Sequence, residues 1–281
     1  MIHLITDTSS LYSPSEAEEK GFKVIPLSVS IDGKNYQEFV DINADDFVEL
    51  INKKNSFPTS SQPPVGVVIE TIESISEEDE IIYLCMADGL SGTYQSALSA
   101  VSQLSLKRQK KTHVINSKTL CGPHRHLVNL ILKWIKQGKE ITDILKLLNE
   151  KIETSTSFLL PSDFGFLKRG GRCTPLAATI GGVLKLQPVV TQTSDGRRLD
   201  KFVMGRSFEI AVNKVINKIK ESNLAQKKIY ISHAFSLEKA KVIKEKLIAI
   251  SPNFNIDILE LSCAFITQGG PGCLAIQTID E

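Results

Sequence analysis

Glu80-Ile81-Ile82-Tyr83-Leu84-Cys85 leads into Asp88-Gly89-Leu90-Ser91-Gly92-Thr93-Tyr94, and a helical pattern begins near Gln95. An aliphatic run, a glycine-containing loop and a helix start, in that order, read as one strand–loop–helix unit. Such a loop turns backbone N–H groups and hydroxyls toward the positive end of a helix, where a phosphate or carboxylate is held. In an open α/β sheet this place lies beyond the carboxyl ends of the strands, where ligands bind. By itself the stretch also reads as an ordinary capped helix with Ser91 or Thr93 as N-cap.

Strand and helix patterns alternate on both sides of this unit. Residues 2–6 and 113–116 are strand-like, and 24–31 is a β-branched run ending in the turn signal Asp32-Gly33. Residues 45–52 read as a short helix, and Ile141, Ile144, Leu145, Leu148 and Ile152 share one helical face. The alternation predicts βαβ units, hence a parallel three-layer sheet. From residue 156 the texture changes. Strand candidates 184–191 and 199–204 flank Ser194-Asp195-Gly196, a hairpin signal. Helical faces follow, one through Phe208, Ala211, Val212, Val215 and Ile219 and one over 237–248, with strands at 229–232 and 255–261. The expected class is α/β with two unlike α/β domains. Residues 1–155 form the first, and 156–281 form a mixed sheet with helices packed on one face.

The 281 residues are 42% hydrophobic and 23% charged with a net charge of +1, which fits a globular chain and gives no surface-wide footprint for nucleic acid. The basic run Lys107-Arg108-Gln109-Lys110-Lys111 reads as a solvated turn. No stretch approaches about 18 apolar residues, so no transmembrane segment is expected. The N-terminus reads as a core strand and not as a signal peptide. Five cysteines, an odd number without CxxC spacing, argue against a disulfide framework and against zinc, and point to a reduced, cytoplasmic setting. His124 and His126 flank Arg125 at a helix start and read as solvated, since i and i+2 face different sides. No local motif supplies Ser91 with a His/Asp partner for a hydrolase triad.

Four polar segments remain. They are Ser60-Ser61-Gln62-Pro63-Pro64, the Ser91 loop, Phe166-Leu167-Lys168-Arg169-Gly170-Gly171-Arg172, and Thr267-Gln268-Gly269-Gly270-Pro271-Gly272. Hydroxyls in the first two can donate to an anion, and Arg172 can clamp one. Each also reads as a turn. Taken together with Ile5-Thr6-Asp7-Thr8-Ser9, Val24-Ile25-Pro26-Leu27, Ile31-Asp32-Gly33-Lys34-Asn35-Tyr36 and Leu186-Gln187-Pro188, their order and spacing resemble the DegV family of bacterial fatty-acid-binding proteins over essentially the whole chain.

The resemblance implies two unlike α/β domains with a lipid between and within them. It implies that hydroxyls of the family's Thr-Ser-Gln-Pro and Ser-Gly-Thr loops hold the fatty-acid carboxylate, assisted by a histidine of the terminal His-x-Gly-Pro-Gly motif. The acyl chain would lie in the second domain. Carried over, the head-group contacts are Ser60, Ser61 and Ser91, with Arg172 at the carboxylate end, serving a partner kinase or the docking surface. The protein would present a long-chain fatty acid to a separate fatty acid kinase, which makes the acyl phosphate used in phospholipid synthesis. It would catalyse no step itself and use no cofactor. Ser60 stands in place of the usual threonine, and three further places depart from the pattern. Gln268 stands where the family has histidine, and glutamine donates a hydrogen bond without ever carrying the charge. Ser10-Leu11-Tyr12 and His233-Ala234-Phe235 replace a usual aspartate–leucine pair and a usual His-Gly-acidic segment. The competing expectation is an enzyme acting on a small anionic metabolite in the interdomain cleft, with Asp7 or Asp88 as its acid or base. A binding protein that has lost its kinase is a third.

Overall fold

The computed structural model describes residues 1–54, 56–178 and 186–281, and the chain divides into two compact units, 1–153 and 154–281. The first unit runs β1 (Ile2–Asp7), α1 (Pro14–Glu19), β2 (Lys23–Ile25), β3 (Ser28–Ile31), β4 (Lys34–Gln37), α2 (Ala44–Lys54), β5 (Thr59–Ser61), α3 (Val65–Glu73), β6 (Glu80–Cys85), α4 (Thr93–Ser102), α5 (Leu106–Lys110), β7 (Thr112–Asn116), α6 (Cys121–Lys136) and α7 (Ile141–Ile152). Strands β2-β1-β6-β7 form a parallel sheet in that order. Side chains alternate across it. Ile5, Ile81, Tyr83 and Cys85 pack on Val68 and Ile72 of α3 and on Ala97 and Ala100 of α4. On the other side α6 packs on β1 and α7 on α6. The central strands β1 and β6 are buried on both faces over most of their length, which is why β6 reads as a nearly unbroken apolar run, whereas the edge strands β2 and β7 are less completely buried.

A second, three-stranded antiparallel sheet, β4-β3-β5, was not legible as such. The β-branched run 24–31 is two strands in two sheets. Pro26 has no N–H for a ladder, so β2 ends at Ile25 and the chain resumes as β3. Asp32 and Gly33 then both take positive φ (49° and 74°), the geometry of a tight hairpin turn. Ser60 and Ser61, expected in a loop, lie in β5, opposite Val29 and Ser28 of β3.

The second unit runs β8 (Thr156–Leu160), α8 (Phe164–Gly170), α9 (Pro175–Ala178), β9 (Gln187–Gln192), β10 (Leu199–Gly205), α10 (Phe208–Ile219), β11 (Lys227–His233), α11 (Leu237–Ile248), β12 (Asn255–Glu260), α12 (Cys263–Gly269) and β13 (Leu274–Asp280). Its sheet, β10-β9-β8-β13-β11-β12, is mixed, with β11 and β12 parallel and the other pairs antiparallel. The strand expected from residue 184 is seen from Gln187, and Leu184 and Lys185 lie outside the described residues. Helices cover both faces, not one. Phe158, Leu160, Ile229, Ile231, Leu274 and Ile276 pack with α10 and α11. Leu159, Val190 and Leu199 face Leu167 and Phe164 of α8 and Ala177 of α9. The second layer was missed because α8 and α9 are too short to show a helical period and abut a double glycine. Asp163 caps α8 by accepting from Gly165 N at 2.7 Å, and Gly171 ends it at φ 70°.

Candidate functional site

In the first unit the two serine segments meet. The Gln62 side-chain amide lies directly on Gly92, where a Cβ would overlap its Oε1. Ser96 Oγ donates to the Pro63 carbonyl at 3.3 Å. The loop of Ser91 is therefore held against the end of β5, which carries Ser60 and Ser61. The structure starts the helix at Thr93, two residues ahead of the expected Gln95, with Gly92 as N-cap and no side chain bonded as a cap there. Ser91 Oγ and Thr93 Oγ1 are 2.8 Å apart, and Thr93 N donates to Ser91 Oγ at 3.3 Å. Ser91 is half-buried and Thr93 buried. Hydroxyls of this kind, at the N-terminal end of a ten-residue helix, suit an anion.

Asp7, the acid or base expected for an enzyme, is fully buried and both its oxygens are engaged. Oδ1 accepts from Ser9 N at 2.9 Å and Oδ2 from Met86 N at 3.1 Å. Such a carboxylate is a brace for the backbone. Asp88 is half-buried, and its N–H donates to Asn116 Oδ1 at 3.3 Å.

In the second unit Gln268 is in the last turn of α12, not in a loop. Its side chain lies over Gly170, where a Cβ would overlap Oε1, and Nε2 donates to Thr267 Oγ1 at 3.2 Å. Arg172 donates through Nη1 to the Gly170 carbonyl. The segment 166–172 is thus mostly the helix α8, and the second glycine pair brings Gln268 beside the first. Gly270 is held at φ 77°, ψ 162°, and Ser162 N and Oγ both donate to the Gly269 carbonyl at 3.0 and 3.2 Å. Ser60, Ser61 and Ser91 belong to the first unit, Gln268 and Arg172 to the second. Gln62 and Gly92 lie within the motifs but carry no role legible from sequence. The signal that finds them is a glycine whose absent side chain admits a neighbour's amide.

Two expectations about charge are corrected. His124 is completely buried, not solvated. Its Nε2 is 2.7 Å from Thr6 Oγ1 and its Nδ1 is 2.9 Å from Ser117 Oγ. Both hydroxyls also reach backbone carbonyls, Thr6 Oγ1 that of Leu84 at 2.8 Å and Ser117 Oγ that of Thr119 at 3.1 Å, and a neutral ring has one N–H to give to one of them. Burial lowers its pKa, and the Asp7 charge only partly opposes this. A base whose folded pKa is depressed gives stability that is full above the unfolded value, about 6.5, and is lost as pH falls below it. Urea unfolding at pH 7.5 and 5.5 should therefore show a loss that His124→Gln reduces. Equal pH dependence of the two chains would contradict it. In the run 107–111, most of which is helix α5, Lys107 and Lys110 are exposed as expected, but Arg108 is not. Ser105 caps α5 by accepting from Arg108 N at 3.1 Å, and the Arg108 side chain is 2% exposed. Its guanidinium donates to the carbonyls of Ser76, at 2.7 Å, and Asp79. A planar five-donor fork can be buried on backbone oxygens where a lysine cannot.

Among the described residues no group of three or more His, Cys, Asp or Glu is placed to hold a metal ion, and no helix is long and apolar enough to cross a membrane. All five cysteines are free and buried. Burial pushes Cys173 up to about 11 and Cys273 up to about 12, so neither is a thiolate near neutral pH.

A family model described as an uncharacterised protein of the DegV family matches residues 1–281. The DegV domain-containing protein YejH of Lactococcus lactis is 31% identical over 282 residues, covering 98% of each chain. The crystal structure of DegV from Bacillus subtilis, a fatty acid binding protein, matches with a TM-score of 0.86 at 27% identity, covering 100% of this chain and 99% of that one. A fatty-acid-binding DegV family protein from Thermus thermophilus gives 0.89 at 21% identity with coverage of 100% and 99%, a likeness of fold.

Proposed function

The chain belongs to the DegV family, and from that premise we propose that it binds one long-chain fatty acid in the cytoplasm and presents the carboxylate to a separate fatty acid kinase. The observation that carries the reading is the joining of the two serine segments through Gln62 and Gly92, which sets the end of β5 against the start of α4. Ser60, Ser61, Ser91 and Gln268 are the proposed carboxylate contacts. The acyl chain is assigned to the second unit, where Leu159, Val190 and Leu199 offer an apolar sheet face to α8 and α9. Burying about ten methylenes at ~0.8 kcal/mol each supplies about 8 kcal/mol, near a micromolar Kd before association costs. The acyl chain then supplies most of the affinity and each head-group contact a smaller share, which is why a glutamine at 268 is tolerable.

Arg172 is proposed to serve the kinase and not the acyl chain. With a bacterial fatty acid kinase, ATP and labelled fatty acid, the protein should support acyl-phosphate formation. Arg172→Ala should lower that turnover and leave lipid affinity nearly unchanged. A lipid-bound protein that yields no acyl phosphate would remove the kinase step, and a large loss of lipid affinity in Arg172→Ala would reverse the assignment.

Gln268 gives a prediction in pH. Its amide does not titrate, so fatty-acid affinity should show no step near ~6.5 beyond that of the ligand itself. Gln268→His should introduce a step and tighten binding below it, by about 1 kcal/mol for a charge-assisted bond. Coinciding profiles from pH 5.5 to 8 would mean that residue 268 does not touch the head group.

A further inference from the structure

We infer that Asp7 and Thr8 are positioning residues for the head-group serines: Asp7 sets the loop carrying Ser91, and Thr8 sets the strand opposite Ser60 and Ser61. The inference rests on the reading of those serines as carboxylate contacts. It lies within the first unit. Asp7 and Thr8 are completely buried at the end of β1, the strand that pairs with both β2 and β6.

The two side chains reach in different directions. Asp7 Oδ2 accepts the Met86 N–H at 3.1 Å, just beyond the end of β6. The next residue, Ala87, accepts through its carbonyl from Leu90 N at 3.1 Å and from Ser91 N at 3.2 Å. The carboxylate therefore fixes the residue immediately before the turn that presents Ser91. Thr8 Oγ1 accepts the Leu27 N–H at 2.9 Å and donates to Glu38 Oε1. Glu38 N in turn donates to the Leu27 carbonyl at 3.0 Å. Leu27 is thus held on both its backbone groups immediately before β3. In β3, Ser28 and Val29 are the register partners of Ser61 and Ser60. One dipeptide at the end of a central strand thereby places both donor segments, and Gln62 on Gly92 closes the arrangement from the far side.

Removing the threonine hydroxyl leaves the backbone of Leu27 and the Glu38 carboxylate each without this partner. The expected consequence is a shift of the hydroxyl donors, felt by a carboxylate and not by an uncharged head group on the same chain. A general loss of fold quality would weaken both alike.

The test measures the affinity of the full chain for palmitate and oleate, each beside its methyl ester. Thr8→Val should lower the acid-to-ester affinity ratio by about tenfold, the size of one lost hydrogen bond to a charged group, while Thr8→Ser keeps the ratio. In a Ser60→Ala/Ser61→Ala background, Thr8→Val should add almost nothing, because the groups it positions are gone. Asp7→Asn should behave in the same way toward Ser91→Ala. If the valine chain does not fold, Thr8→Cys keeps the size and trades the strong acceptor for sulfur. Acid and ester weakening by the same factor would overturn the inference, as would an effect that persists in the double-alanine background. A wild-type chain that binds none of the four ligands would instead overturn the functional reading and leave these contacts as scaffold.

Discussion

Replacing Ser91 with alanine should weaken binding of a long-chain fatty acid by about tenfold or more, whereas Ser207→Ala should leave affinity unchanged. Ser91 is half-buried at the start of α4, with its hydroxyl 2.8 Å from Thr93 Oγ1. A carboxylate placed there loses a donor when the hydroxyl goes, and a charged group left short of a partner costs about 1–3 kcal/mol. Ser207 is a demanding control because it caps α10, accepting from Ile210 N at 3.3 Å. Its loss should lower stability by about 1 kcal/mol without touching the ligand. Affinity measured for both variants well below their melting temperatures separates the two effects. Equal affinities would remove Ser91 from the site.

Gly270→Ala should be among the most damaging single changes in the second unit. At φ 77° and ψ 162° the residue occupies a backbone region that is essentially glycine's alone. A Cβ there would sit 2.8 Å from Ser162 Oγ and 3.0 Å from Phe166 Cδ2. Strain and overlap together should cost about 2–4 kcal/mol. Gly270 N also donates to the Ile266 carbonyl at 2.9 Å, closing the helix that carries Gln268. Gly171→Ala makes the comparison, since Gly171 is at φ 70° but faces open space, and its cost should be about 1 kcal/mol. Denaturant midpoints of the two variants read the difference directly. A Gly270→Ala chain no less stable than Gly171→Ala would show that the loop relaxes around the methyl.

The alternation of strands and helices was legible because both faces of the central strands β1 and β6 are covered, leaving apolar runs separated by helical periods. The hairpin at Ser194-Asp195-Gly196 was legible from its turn residues. Other features were hidden for identifiable reasons. Cys263–Gly269 is a helix of 7 residues, too short to show a period, and the glycines after it suggested a loop reaching back to Thr267. Pro26 divides one β-branched run between two sheets, and the split depends on where β3 finds its partners. The burial of Arg108 and His124 depends on carbonyls and hydroxyls far along the chain, which no local pattern contains. Of the residues proposed to bind, Ser91 stood out in a glycine-containing loop and Arg172 after a double glycine. The bracing by Asp7 and Thr8 did not, since a buried aspartate and threonine at a strand end look like catalytic or capping residues until their partners are known.

The most direct measurement is organic extraction and mass spectrometry of the protein purified from a bacterial host without any delipidating step. The expected result is long-chain fatty acid recovered in an amount matching the protein, and lost from the folded chain when the Ser91 variant is treated in parallel under competition with excess unbound lipid acceptor. Recovery of no fatty acid above that of a control protein carried through the same purification would contradict a fatty-acid-binding role for this chain.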